Sequence, residues 1–203
     1  YQKSNDDLIN LNDLISYFAK DNDKSKIITS NVDSENRYEC KYEGFIDVGS
    51  FLTTIGIDNF IEEMQKTYKI VVCYFDDNDQ LIKGVKNPDE KHFYLFDQKH
   101  TVGTDIKLGK VKALTSISSR NGLRDVTQGV YRLRQLLFTQ SVDYLCHFNT
   151  EEKLNNIELF NELLEREQNR KKQKLDLQNI HNIRTLAREY FMEKNLLKTN
   201  YDR

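Results

Sequence analysis

GFIDVGSFLTTIGIDNFIEEMQKTYKIVVCYF, residues 44–75, decides how this chain is read. An apolar run stands at each end, from Phe45 to Val48 and through YKIVVCYF. Between them Ile57, Phe60, Ile61 and Met64 recur at the 3.6-residue period of one helical face, with Asp58 near the start as the expected cap. Strand, helix and strand in that order make a βαβ unit. The second run is apolar along nearly its whole length, as a strand covered on both faces should be.

The pattern continues outward in both directions. DDNDQ, residues 76–80, is a polar turn, and LIKGV after it is the returning arm of a hairpin. HFYLFD, KALTSIS and QSVDYLCHF read as three more strands. The segment 122–138, GLRDVTQGVYRLRQLLF, reads as a helix with Leu123, Val126, Val130, Leu133 and Leu137 on its inner face. Upstream, Leu8, Leu11, Ile15 and Phe18 predict an amphipathic helix over residues 6–20, and KIITSN, residues 26–31, a further strand. Alternating β and α elements predict an α/β fold with a doubly wound, mostly parallel sheet. From Glu151 the composition turns to helix formers without Pro or Gly, which predicts two helices or one bent helix. The expected organisation is a helix and linker over 1–22, an α/β lobe over 23–149 and a helical extension over 150–203.

A net charge of -2 over 203 residues gives no global field to draw nucleic acid or anionic lipid. No apolar run approaches the ~20 residues of a bilayer span. Cys40, Cys73 and Cys146 are odd in number and widely spaced, which fits neither a disulfide framework nor a zinc site. A cytoplasmic setting, without membrane contact, is the expectation. The chain opens on Tyr1 rather than Met, as a piece of a larger protein would.

Ligands of open α/β sheets bind at the carboxyl ends of the strands. HFYLFD runs into the loop QKHTVGTDIKL there, where Gly103 would let backbone approach a phosphate, Thr104 offers a hydroxyl and Asp105 a carboxylate. One strand later comes TQGVYRLRQ, with Gln128 and Arg132 four apart on one helical face and Arg134 pointing elsewhere. An arginine near a developing phosphate charge is the usual electrostatic device of phosphoryl transfer.

These two stretches in this order resemble the second RecA-like lobe of superfamily 2 helicases and of the SecA translocation motor. A wider resemblance takes in GFIDVGSFLTTIGIDNFIEEM, FYLFDQKHTVGTDIKL, ALTSISSRNGLRDVTQGVYRLRQ and LEREQNRKKQKLDLQNIHNIR. These are similar to segments of very large eukaryotic proteins that carry paired domains of unknown function and are catalogued as ubiquitin-hydrolase-like. The resemblance implies a RecA-like lobe that closes over ATP and Mg held by an upstream lobe of the same polypeptide. Gly103, Thr104, Asp105, Gln128 and Arg134 would then border the nucleotide, Arg132 would be the arginine finger, and the helical extension would transmit closure to a protein partner. Helicase motifs place a second arginine seven residues after the glutamine. Here Gln135 holds that position, and Arg134, one residue earlier, is turned about 100° around the axis.

The chain alone has no phosphate-binding loop. GFIDVGS spaces its glycines correctly, but Ser50 stands where the lysine belongs and FIDV reads as buried strand. Hydrolysis of ubiquitin conjugates, the rival activity, needs a cysteine beside a histidine. Cys146 and His147 are neighbours on a strand and point to opposite faces, Cys73 lies in the most apolar strand, and Cys40 has no nameable partner. A silent scaffold that keeps the fold is the third reading. DDNDQ lacks the glycine and glutamate of a calcium loop, and His92, His100, His147 and His181 have no ligand spacing, so no metal is expected. His100, beside the GTD loop, is best explained by a loop hydrogen bond. The cluster RKKQK, residues 170–174, is a weak pointer to nucleic acid, because Glu162, Glu165 and Glu167 stand where they can pair with it.

Overall fold

The computed structural model describes residues 9–20, 37–101, 108–136, 138–147 and 155–201. The chain divides into two compact units, Tyr1–Leu154 and Asn155–Arg203. The strand expected at 26–31, the first residues of the expected N-terminal helix, and the loop residues Gly103, Thr104 and Asp105 lie outside the described residues.

The first unit is built on six strands: β1 (Gly44–Ile46), β2 (Ile70–Phe75), β3 (Leu81–Lys83), β4 (Lys91–Phe96), β5 (Val111–Ser118) and β6 (Gln140–His147). Their order across the sheet is β3-β2-β4-β1-β5-β6, parallel throughout except for β3, which returns antiparallel to β2 as the hairpin arm. β2 is apolar because Ile70, Val71, Val72 and Cys73 are all buried. β1 sits between β4 and β5, with Ile46 in register with both Phe96 and Thr115.

One face of the sheet is packed by aromatic rings. α1 (Leu11–Ser16) is capped by Asn10, whose side chain accepts from the Asp13 N–H at 2.8 Å. The turn after it delivers Phe18, fully buried, edge-on to Phe45, Phe60 and Phe93 at 5.4, 5.8 and 5.5 Å between ring centres. Tyr68, also buried, donates its hydroxyl to the Ile15 carbonyl at 2.7 Å. The segment expected as one helix after β1 is two, α2 (Leu52–Ile55) and α3 (Ile57–Thr67). They are separated by Gly56 at φ +89, a conformation that favours glycine. Gly56, not Asp58, is therefore the N-cap of α3, and Asp58 lies in the first turn. Phe60 and Met64 are buried as expected, while Ile57 and Ile61 pack at the margin of the core.

The helix after β5 is shorter than its periodicity suggests. α4 (Leu123–Val130) stops at Tyr131, and the chain tightens into i→i+3 turns, Arg132 N–H to Gly129 O and Leu133 N–H to Val130 O. Two features end it. Gly129 weakens the last turn by about 1 kcal/mol relative to alanine. Beyond it the buried Gln140 side chain accepts from the Gln135 N–H at 2.9 Å and donates to the Leu108 and Gly109 carbonyls, drawing the connection back to the start of β6.

The second unit is one helix, α5 (Asn156–Tyr201), 46 residues and about 69 Å long. Neither Pro nor Gly interrupts it, so it does not divide in two. Asn155 caps it, accepting from the Ile157 and Glu158 N–H groups. Glu162 pairs with Arg166 at 2.9 Å, and Glu167 with Arg170 at 3.0 Å and Lys171 at 3.7 Å, so part of the basic cluster is spent on ion pairs along the helix. No described helix is long and apolar enough to cross a membrane.

Candidate functional site at the carboxyl edge of the sheet

After β1 the chain leaves toward β2, and after β5 it leaves toward β6 on the other side. The carboxyl ends of β1 and β5 thus form the topological switch point where α/β proteins hold ligands. Four short stretches meet there: Asp47–Ser50, the start of α2, Ser116–Ser118 and Asn121.

Asp47 continues the β1 ladder, its N–H donating to Phe96 O at 2.8 Å. Its side chain is 1% exposed. The carboxylate accepts from the Phe51 N–H and the Leu52 N–H, both at 2.9 Å, and from the Ser116 hydroxyl at 2.7 Å. Ser116 Oγ in turn accepts from the Gly49 N–H at 2.8 Å. Burial pushes the Asp47 carboxyl above its ordinary value against the pull of the Ser116, Leu52 and Phe51 donors, and Asp97, next to it at the end of β4, adds to the rise.

Space is tight around this network. A Cβ on Gly49 would lie 2.8 Å from the Phe51 ring and 3.0 Å from Ser116 Oγ, and Ser50 holds a left-handed φ of 62 to turn the chain into α2. Asn121 ties the two loops together, donating to Val48 O at 3.1 Å and accepting from the Ser118 N–H at 2.7 Å and hydroxyl at 3.0 Å. Over the other face, a Cβ on Gly129 would meet Val48 Cγ2 at 2.4 Å, so α4 lies directly on the end of β1. His147, at the end of β6, stands edge-on to Phe51 at 5.8 Å.

The residues singled out from sequence are distributed differently. Gln128 is half-buried on α4. Arg132 does not share a helical face with it, because α4 has ended; it lies in the tightened turn, half-buried, with its Nε out of contact with solvent. Arg134 is exposed. His100 is buried and stacks on Phe75 at 4.8 Å, with Nδ1 against Asp97 and Nε2 3.0 Å from Asp79, so it pins the end of β4 to the β2–β3 turn. That turn is closed on itself, Asp76 accepting from the Asn78 and Gln80 N–H groups. Among the described residues no group of three or more His, Cys, Asp or Glu side chains could hold a metal ion.

The cysteines form no disulfide. Burial pushes the Cys40 thiol up to about 12 and raises Cys73 as well, the reverse of what a nucleophile requires. Cys146 and His147 follow each other on β6. A cavity of about 140 Å³ lies at the opposite, amino edge, lined by Glu39, Cys40, Tyr42, Lys69, Ile70, Asp89 and Lys91. It is well below the few hundred Å³ of an ordinary ligand site.

Asp47, Ser116 and Asn121 were not evident from sequence. An aspartate closing an apolar run before a glycine is a signal of a strand's carboxyl end, but its partner Ser116 is supplied only by the β1–β5 register. Comparison of the chain with protein-family models, with curated proteins and with solved structures finds no match.

Proposed function

We propose that the first unit is a non-hydrolysing α/β lobe, a rigid support within a larger assembly, whose switch point is filled by its own side chains. One observation carries this reading. The N–H groups of Phe51 and Leu52, the donors that an anion would seek at this edge, are already taken by the Asp47 carboxylate. A phosphate would have to displace a buried carboxylate and would meet its charge. The free thiol chemistry of a ubiquitin hydrolase finds no support in a Cys40 thiol held near 12.

A second reading keeps the RecA-like closing lobe with Arg132 as its finger and ATP and Mg on an upstream lobe. It is supported by Gly129, whose fit on Val48 fixes the end of α4, which carries Gln128 and leads into the turn that holds Arg132. Titration of the parent polypeptide with a fluorescent ATP analogue and Mg, wild type beside Arg132→Ala and Gln128→Ala, separates the two. With a support lobe the variants are expected to leave any binding unchanged. Saturable binding that Arg132→Ala or Gln128→Ala removes would establish the closing lobe instead. A cytoplasmic setting belongs to both proposals.

A further inference from the structure

A single 3-10 turn, Lys99–Thr101, follows β4 and lays His100 against the end of β2. The ring is 4% exposed and stacks on Phe75, its plane within 19° of parallel. Both ring nitrogens face carboxylates. Nδ1 meets Asp97 Oδ1, which also accepts from the His100 backbone N–H at 3.0 Å, and Nε2 stands 3.0 Å from Asp79 Oδ1. The two carboxylates belong to different elements, Asp97 to the end of β4 and Asp79 to the β2–β3 turn. A neutral imidazole carries one N–H and can donate to only one of them, whereas an imidazolium donates to both.

The surroundings leave that second proton to the ring. Asp79 has none to offer, because Lys99 at 3.0 Å and then His100 hold its carboxyl below the ordinary value. Asp76 is turned onto the Asn78 and Gln80 N–H groups of its own turn, Asp77 gives its carbonyl to Lys99 at 3.3 Å, and Asp47, just after β1, feels the charge of Asp97 from the other side. The Lys99–Asp79 pair lies at the surface, its side chains 56% and 63% exposed, where such pairs hold little. The returning arm β3 meets β2 in three register pairs. We infer that His100 is a proton-operated clamp: the imidazolium docks the β2–β3 turn onto the end of β4, and loss of the Nε2 proton frees the turn while the Nδ1–H stays with Asp97. The clamp sits at the carboxyl ends of β2 and β4, on the flank of the switch point. Histidine side chains ordinarily change charge between about pH 5 and pH 8, so the turn is expected to dock as pH falls through that range.

Nuclear magnetic resonance of the full chain tests both halves of the inference over that pH range. Long-range proton–nitrogen correlation reads which His100 nitrogens carry protons, and nuclear Overhauser contacts from the ring to the Asp79 side chain read docking. The contacts are expected to weaken by about threefold or more as the Nε2 proton leaves, with the same midpoint. Asp79→Asn changes an exposed position whose φ of 59 asparagine accepts, so the fold is expected to be kept. Its amide can accept from the charged ring and donate to the neutral one, so in this variant the ring should titrate without moving the turn. A ring that keeps one charge state throughout would overturn the proposal. So would contacts that ignore the titration, or that weaken as much in Asp79→Asn as in the unaltered chain.

Discussion

Replacing Asp47 by asparagine tests the central feature of the carboxyl edge. The wild-type carboxylate satisfies three donors, the Phe51 N–H, the Leu52 N–H and the Ser116 hydroxyl, at a position 1% exposed. Asparagine keeps the shape but turns one oxygen into an NH₂ that cannot accept, so one or two of these donors lose their partner. Each orphaned buried donor costs about 1–3 kcal/mol, partly offset because a charge need no longer be buried. The expected loss at neutral pH is about 2–4 kcal/mol. The pH dependence carries a definite sign. Because the folded carboxyl is raised above the ordinary 3.8, the folded state holds its proton where the unfolded state has released it. That contribution is fully present below the ordinary value and is lost as pH rises through the folded value. The asparagine variant lacks it, so the stability advantage of wild type should shrink as pH rises across this window and then level off. Urea unfolding followed by near-ultraviolet circular dichroism of the tyrosines measures both quantities, the chain having no tryptophan. A loss under about 0.5 kcal/mol, within the range of ordinary surface changes, would refute the three-donor account. An advantage that grows with pH would show that the donors outweigh burial.

Three further outcomes follow from the packing. Gly129→Ala should destabilise by about 1–2 kcal/mol despite alanine's helix propensity, because its Cβ meets Val48 Cγ2 at 2.4 Å, and Val48→Ala in the same chain should recover most of the loss; a double-mutant cycle decides. Phe18→Ala removes a fully buried ring in contact with three phenylalanines and should cost about 3–5 kcal/mol by chemical unfolding. Cys40, half-buried with its thiol pushed up to about 12, should react slowly with iodoacetamide at neutral pH in the folded chain and faster on unfolding; rapid labelling of the native protein, located by mass spectrometry, would contradict the raised thiol.

The inner strands were readable because they are largely apolar runs bounded by polar turns, and a covered strand such as β2 leaves no alternation to confuse it. The single long helix was readable in part, from the absence of breakers, although the expected division into two helices or a bend is one that nothing in the backbone requires. The end of α4 was not readable. The 3.6 period runs on through Leu133, and Leu133 is indeed buried, but it reaches the core from a tightened turn. Besides Gly129, what turns the chain away is the Gln140 side chain, a constraint from beyond the segment. The site was hidden for the same reason. Asp47 is one polar letter in FIDV, and its meaning depends on Ser116, far away in sequence and brought beside it by the pairing of Phe45 with Leu114 and Ile46 with Thr115.

At the carboxyl edge of any parallel sheet, strands give way to helices and leave N–H groups without partners inside the fold. A ligand, water or a side chain must satisfy them. A protein built to bind phosphate leaves them open, so that the incoming anion provides the missing acceptor. Here Asp47 takes that place, Ser116 extends the contact to the Gly49 N–H, and Asn121 closes the gap to the β5 loop. The stability that this edge draws from its own carboxylate is stability that ligand binding can no longer supply. A phosphate competing for these donors would have to expel Asp47, and expulsion would break its hydrogen bonds with Phe51, Leu52 and Ser116. The same contacts that hold the edge together therefore oppose an incoming anion, and so favour the proposed support role.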